Sequence, residues 1–348
     1  MDFAGGQEIR FERRGRAGIV TMTRPKALNA LTHDMVTALS RALEAWAQDD
    51  SVALVAITGE GRAFCAGGDI LKVYEAGKAG RPFFEFFADE YRLNAAIARF
   101  AKPYVALVDG IVMGGGVGLS VHGSHRIFTE NALFAMPEVG IGFFPDVGGS
   151  YFLPRLRGSF GVYLALTGNR IRRGDALWSG IATHAAASAD MSALLDALCE
   201  TGDADAACAR FCVDVPRETS DAAVSTIGRH FSLERLDDIV ASLGQAADHG
   251  DEVAGAALAT ILTRSPTSLA VTLREVLDGG MLDMDECMRM EYRILNRMLT
   301  GHDFYEGIRA ALIDKGSTPA WRPARIAEVD PDQIQAYFAP LADGELAV

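Results

Sequence analysis

The sequence predicts an α/β fold, with a core over residues 1–190 and a mainly helical region over 191–348. Three observations carry this. Apolar runs of strand length, rich in valine and isoleucine, recur between residues 8 and 129. Glycine-rich turns follow two of these runs, with helix-spaced segments between them, the order that crossover connections of a parallel sheet require. After about residue 153 strand candidates thin out, and alanine, leucine and charged residues recur at helical spacing.

Taken in order, EIRFERRG and AGIVTMTR within residues 8–23 read as two short strands around a glycine-containing turn. Leu31, Met35, Leu39, Leu43 and Trp46 then follow a helical period, with Thr32 suited to the N-cap. The run SVALVAITG, 51–59, reads as a strand buried on both faces. A turn, GRAFCAGGDI, precedes a helical stretch over roughly 81–99. Tyr104 to Val108 is another buried strand, and the turn after it, DGIVMGGGVG, contains the start of a helix. His125 to Thr129 reads as a third strand. No repeat of 20–50 residues occurs, and no proline- or serine-rich linker separates the two regions.

Composition narrows the function classes. A net charge of −13 argues against nucleic acid or an anionic membrane surface as the main partner, while leaving room for a small anionic ligand held by local backbone and a few cations. No run of some eighteen apolar residues suggests a membrane span, and the first residues do not read as a secretory signal. The five cysteines are odd in number and form no CxxC pair, which predicts neither a disulfide framework nor a zinc site. Free thiols of this kind lead to a cytoplasmic expectation. Cys208 and Cys212 share a helix face without histidines beside them and read as packed thiols. His122 and His125 lack a third ligand, so no metal is expected.

Both glycine turns, Ala66-Gly67-Gly68-Asp69 and Gly114-Gly115-Gly116, follow buried strands, where ligands of α/β sheets bind. Glycine there admits positive φ and close approach to the backbone. Two N–H groups from such turns can converge on one oxygen as an oxyanion hole; tight helix–sheet packing explains either turn alone equally well. Neither cluster spells a dinucleotide fingerprint or a serine nucleophile elbow. A third stretch, AMPEVGIGFFPDVGGS over 135–150, sets two acids, Glu138 and Asp146, among apolar residues and glycines. Asp146 in Pro-Asp-Val-Gly also fits a simple turn.

Three blocks, FCAGGDI (64–70), KPYVALVDGIVMGGG (102–116) and MPEVGIG (136–142), resemble in order and spacing the enoyl-CoA hydratase/isomerase (crotonase) superfamily over roughly 8–185. The blocks GGGVGLSVHG, MPEVGIGFFPDVGGSYFLPRL, YLALTG and GIATH, with GHDFYEGIRAALIDK at 301–315 and PAWRP at 319–323, extend the likeness towards its 3-hydroxyisobutyryl-CoA hydrolase branch. The resemblance implies a crotonase-like ββα spiral core and an acyl-CoA substrate, CoA being part of the substrate rather than a cofactor. It implies an oxyanion hole from the N–H groups of Gly68 and Gly115, and CoA contacts along Lys26, Ala27 and Ala66 to Ile70, Asp69 included. Glu138 matches the carboxylate beside the reacting carbons, and Glu90 a further substrate contact of the hydrolases. Hydratases carry a second glutamate where this chain has Gly118, and commonly a glycine where it has Asp146. Superfamily members are often trimers or pairs of trimers, so a homo-oligomer is a further expectation.

These residues suit thioester hydrolysis. Two fixed N–H donors stabilise charge that develops on the thioester oxygen in the transition state. Glu138 would activate water or attack the carbonyl itself, its apolar neighbours raising its basicity. Asp146 would bind a substrate 3-hydroxyl or help protonate the leaving thiolate. The expected activity is hydrolysis of a short β-hydroxyacyl-CoA, 3-hydroxyisobutyryl-CoA first, in valine breakdown. The competing readings are an enoyl-CoA hydratase or isomerase, and a catalytically silent acyl-CoA-binding protein.

Overall fold

The two β-rich runs at the N-terminus become β1 (Ile9–Arg14) and β2 (Ala17–Met22), an antiparallel pair. Gly15 turns between them at φ +56°, and a Cβ there would lie 2.1 Å from the Cys199 carbonyl oxygen, so only glycine fits. The computed structural model describes residues 1–342 and 344–348. The chain divides into two compact units, each assembled from three stretches: 1–69, 88–134 and 171–218 in the first, 70–87, 135–170 and 219–348 in the second.

The first unit is organised by a six-stranded sheet. Its order is β1, β2, β3 (Leu54–Gly59), β5 (Tyr104–Val108), β7 (His125–Phe128) and β9 (His184–Ala185), parallel from β2 onward. Side chains alternate across a strand. Ala17, Ile19, Leu54, Ala56, Val105, Leu107 and Ile127 therefore face one way, onto Leu194, Leu198, Ala204 and Cys208 of helices Met191–Thr201 and Ala204–Phe211. On the other face lies helix His33–Ala47, whose period places Met35, Leu39, Leu43 and Trp46 inward. A Cβ on Gly18 would sit 2.7 Å from the Trp46 ring, so this glycine sets the helix–sheet distance. Thr32 caps that helix as expected, its hydroxyl accepting from the Met35 N–H. A second sheet is built from three strands of three residues each: β4 (Ala63–Cys65), β6 (Ile111–Met113) and β8 (Leu133–Ala135). These are too short to show a period, and in the sequence they vanish into the glycine turns they flank.

The second unit is built on helices. Helix Pro266–Gly279 starts on a Ser265 cap with proline in its first turn. It runs beside helices Gly149–Phe152 and Phe160–Thr167. Gly279 makes the approach possible: a Cβ there would be 2.1 Å from the Ser150 carbonyl oxygen. Helix Met284–Met298 opens with a full capping box, Asp283 and Glu286 each accepting from the other's N–H. Helix His302–Ile308 meets the short helix Glu138–Ile141 through two glycines, Gly307 against Ile141 and Gly142 against the Asp303 carbonyl. The two short elements are thereby held backbone to backbone.

Candidate active-site groups

In the first unit the loop 24–31 and the AGGD turn are laced together. The Ala66 N–H donates to the Leu28 carbonyl at 3.0 Å, Leu31 to Gly67 at 2.9 Å and Asp69 to Leu31 at 2.8 Å. Asn29 locks the loop from inside, its amide donating to the Glu60 and Ala63 carbonyls while its oxygen accepts from the Arg24 N–H. Leu28 and Asn29 both hold positive φ, which these bonds sustain. Of the residues the resemblance assigns to CoA, those of this unit thus lie on two loops joined by backbone hydrogen bonds, with Lys26 and Ala27 exposed and Ala66 and Asp69 half-buried. Ile70 opens helix Ile70–Lys78. Arg24 is committed elsewhere. It pairs with Glu8 at 3.0 Å and Asp69 at 3.0 Å, and its side chain is only 16% exposed, so it braces the loop rather than offering a phosphate contact.

Gly68 and Gly115 meet. A Cβ on Gly115 would lie 3.4 Å from the Gly68 nitrogen, 3.0 Å from Leu31 Cδ1 and 2.4 Å from Glu90 Oε1. Gly115 is the first residue of helix Gly115–Gly118, so its N–H has no partner inside the helix. Gly114 before it adopts φ 49°, ψ −125°, a conformation that suits glycine alone. Gly116 brings the helix against β4, where a Cβ would come within 2.1 Å of the Cys65 carbonyl. Close packing thus requires glycine at both positions, and Gly115 also presents an N–H free of intrahelical partners. Glu90, on helix Phe84–Ala98, is buried and touches this pair. Cys65 is not a nucleophile candidate, because burial pushes its thiol up to about 12. His125 pairs with Asp205 at 3.0 Å and stacks on His184, a structural arrangement. Among the described residues no group of three or more His, Cys, Asp or Glu is placed to hold a metal ion.

The second unit holds Glu138 and Asp146, with two acids the sequence reading passed over. Glu138 is 6% exposed and Asp146 5%; Glu275 and Glu291 are fully buried. Glu138 Oε2 has no hydrogen-bond partner, and neither oxygen of Glu275 has one. Burial, and then the charge of Asp146, hold the Glu138 carboxyl well above the usual carboxylate range. Burial raises Glu275 well above it too, followed by Glu291, Asp146 and Glu138 in decreasing order. Glu291 is pushed up to about 8 by burial, against the pull of donors from Gly148 and Ser150. Such a group of acids cannot all ionise together, so the surroundings assign some of them a proton.

Both missed acids left a trace in the sequence. On helix Met284–Met298, residues 284, 287, 288, 291, 294, 295 and 298 form the buried face, and Glu291 is the one acid among methionines, cysteine, isoleucine and leucine. On helix Pro266–Gly279, Ser268, Thr272, Glu275 and Gly279 share a buried stripe at spacings of four, three and four. A carboxylate at a core position of an apolar period is a signal that needs no motif.

The enoyl-CoA hydratase/isomerase family matches residues 17–338. Curated relatives include a mitochondrial 3-hydroxyisobutyryl-CoA hydrolase from Danio rerio, 43% identical over 99% of this chain and 93% of its own. Those of Mus musculus and Homo sapiens are 44% and 42% identical over 97% and 98% of this chain, and 90% of theirs in both cases. A crystal structure of a carnitinyl-CoA dehydratase from Mycobacterium thermoresistibile superposes with a TM-score of 0.92 at 43% identity, covering 98% of this chain and 99% of that one. An enoyl-CoA hydratase from Rhodobacter sphaeroides 2.4.1 follows at 0.88 and 39%, over 98% and 100%. The cytoplasmic expectation is overturned by the curated relatives, which are mitochondrial. Unpaired cysteines report a reducing compartment without identifying which one. With the family's match spanning 17–338 and relatives alike along almost the whole chain, the protein belongs to the enoyl-CoA hydratase/isomerase family.

Proposed function

We propose that the protein hydrolyses 3-hydroxyisobutyryl-CoA to 3-hydroxyisobutyrate and CoA, a step of valine breakdown. The observation that carries this is likeness to hydrolases of that name along nearly the full chain, at 42–44% identity. The N–H groups of Gly68 and Gly115 hold the thioester oxygen as charge develops on it. Glu138 acts as base or nucleophile; its unpartnered, buried Oε2 suits a group whose partner is the reactant. Water adds across the carbon–sulfur bond, the acyl carbon gaining oxygen and the leaving thiolate a proton. Asp146 binds the 3-hydroxyl, and Lys26, Ala27, Ala66, Asp69 and Ile70 contact CoA, with Glu90 beside the acyl group.

The solved structures named as a dehydratase and a hydratase favour a second reading, addition of water to an enoyl-CoA with the thioester kept. Buried Gly118, where the resemblance expects a second acid of hydratases, argues against it. A thiol-release panel over 3-hydroxyisobutyryl-, 3-hydroxypropionyl-, 3-hydroxybutyryl- and unsubstituted acyl-CoA decides. Free CoA thiol is expected, fastest with the first. Loss of enoyl absorbance with no thiol released would leave the hydratase reading standing.

A further inference from the structure

Asp146 sits at the head of a backbone turn in a strained conformation. Val147 adopts φ +52°, the left-handed region that a β-branched residue avoids, and Gly148 follows at φ +89°. A backbone bond closes the turn, from the Gly149 N–H to the Asp146 carbonyl at 2.9 Å. Conformations of this kind persist where the surroundings over-determine them. Among those surroundings is one side chain from 141 to 143 residues further along. Glu291 Oε2 accepts from the Gly148 N–H at 2.9 Å. Its Oε1 accepts from the Ser150 N–H at 3.0 Å and from the Ser150 hydroxyl at 2.5 Å. The carboxylate is fully buried and occupies a position where the helix period calls for an apolar residue. A glutamate is retained in such a place only if its hydrogen bonds are worth the desolvation.

We propose that Glu291 is a positioning residue: by gripping Gly148 and Ser150 from behind, it fixes the strained turn that aims Asp146, and so sets the preference for acyl groups bearing a 3-hydroxyl. The inference rests on the reading of Asp146 as the hydroxyl-binding acid. Gln at 291 cannot replace the carboxylate, because Gly148 and Ser150 each present an N–H to a different oxygen. An amide would turn its own N–H₂ towards one of them. The turn then relaxes at Val147, and Asp146 loses its aim while the rest of the unit keeps its packing.

The test compares kcat/KM for 3-hydroxyisobutyryl-CoA with that for isobutyryl-CoA, which lacks the hydroxyl, in wild type, Glu291→Gln, Asp146→Asn, the double variant and Ser150→Ala. Asp146→Asn is expected to collapse the ratio by about 10-fold or more. Glu291→Gln is expected to collapse it to a similar extent, with isobutyryl-CoA turnover within about threefold of wild type, and the double variant to lose little more, the non-additivity of groups acting as one. Ser150→Ala, which removes one of the three bonds, should lower the ratio about threefold and keeps the question answerable if Glu291→Gln does not fold. If Asp146→Asn collapses the ratio while Glu291→Gln or Ser150→Ala leaves it unchanged, or slows both substrates equally, the positioning role is overturned by itself. An unchanged ratio in Asp146→Asn overturns the reading of Asp146, and this inference with it.

Discussion

In the unit of residues 1–69, 88–134 and 171–218, the candidate groups are backbone N–H; in the unit of 70–87, 135–170 and 219–348 they are carboxyls. The first set is made by deleting side chains: Gly114, Gly115 and Gly116 each stand where a Cβ would strain the chain or collide. The second is made by burying side chains where water cannot solvate them. Backbone donors carry no net charge and keep their direction over the whole pH range. Buried acids are sensitive to pH and to one another. One unit is thus expected to fail by sterics and the other by titration, and substitutions can set these two modes against each other.

The largest effect belongs to Glu138→Gln. It removes the group that activates or delivers the attack, and thiol release is expected to fall by about 10³-fold or more with KM little changed. Unchanged turnover would strip Glu138 of its role. In the wild type, a base must be deprotonated to act, and burial with Asp146 raises the Glu138 pKa. Activity should therefore climb with pH through a midpoint above the ordinary carboxylate range, measured as the acid limb of kcat/KM.

Next comes Gly115→Ala, directed at the backbone set. The added methyl would meet Glu90 Oε1 at 2.4 Å and Leu31 at 3.0 Å, displacing the N–H by a fraction of an ångström. Loss of one oxyanion donor costs about 10²-fold in kcat. This loss should be the same at every pH, whereas wild type and variant share the Glu138 limb. A variant whose loss changed with pH would blur the distinction between the two units.

The smallest effect is on stability. Glu275 has a folded pKa raised well above its unfolded one. In the interval between, the folded chain binds more protons than the unfolded one, so stability falls as pH rises. The thermal midpoint should be higher near pH 5 than near pH 8. Glu275→Gln keeps the shape, removes the charge, and should raise the midpoint near pH 8 by about 2 °C or more while changing it little near pH 5. A midpoint that rose with pH over this range would contradict the burial of a protonated Glu275.

Legibility in the sequence followed locality. β1, β2, β5 and the helix after Thr32 were readable because neighbours along the chain satisfy their period and caps. Gly68, Gly115, Glu138 and Asp146 were readable because each lies in a short block whose spacing carries a resemblance. β4, β6 and β8 escaped because three residues show no period. Glu275 and Glu291 escaped because helices rich in charge do not advertise which acid points inward, although their positions on the buried faces held that information. Nothing near Arg24 in the chain shows that it pairs with Glu8 and Asp69, which only the folded loop brings to it.

By itself, then, the sequence determined which local elements form, where the glycines permit close backbone approach, and which family the blocks resemble, since each depends on residues near in the chain. Tertiary structure alone decided which acids lose their water and which carboxylate holds the turn at Asp146. Solvation and hydrogen bonding are properties of a place, and Glu291 reaches that place from more than 140 residues away.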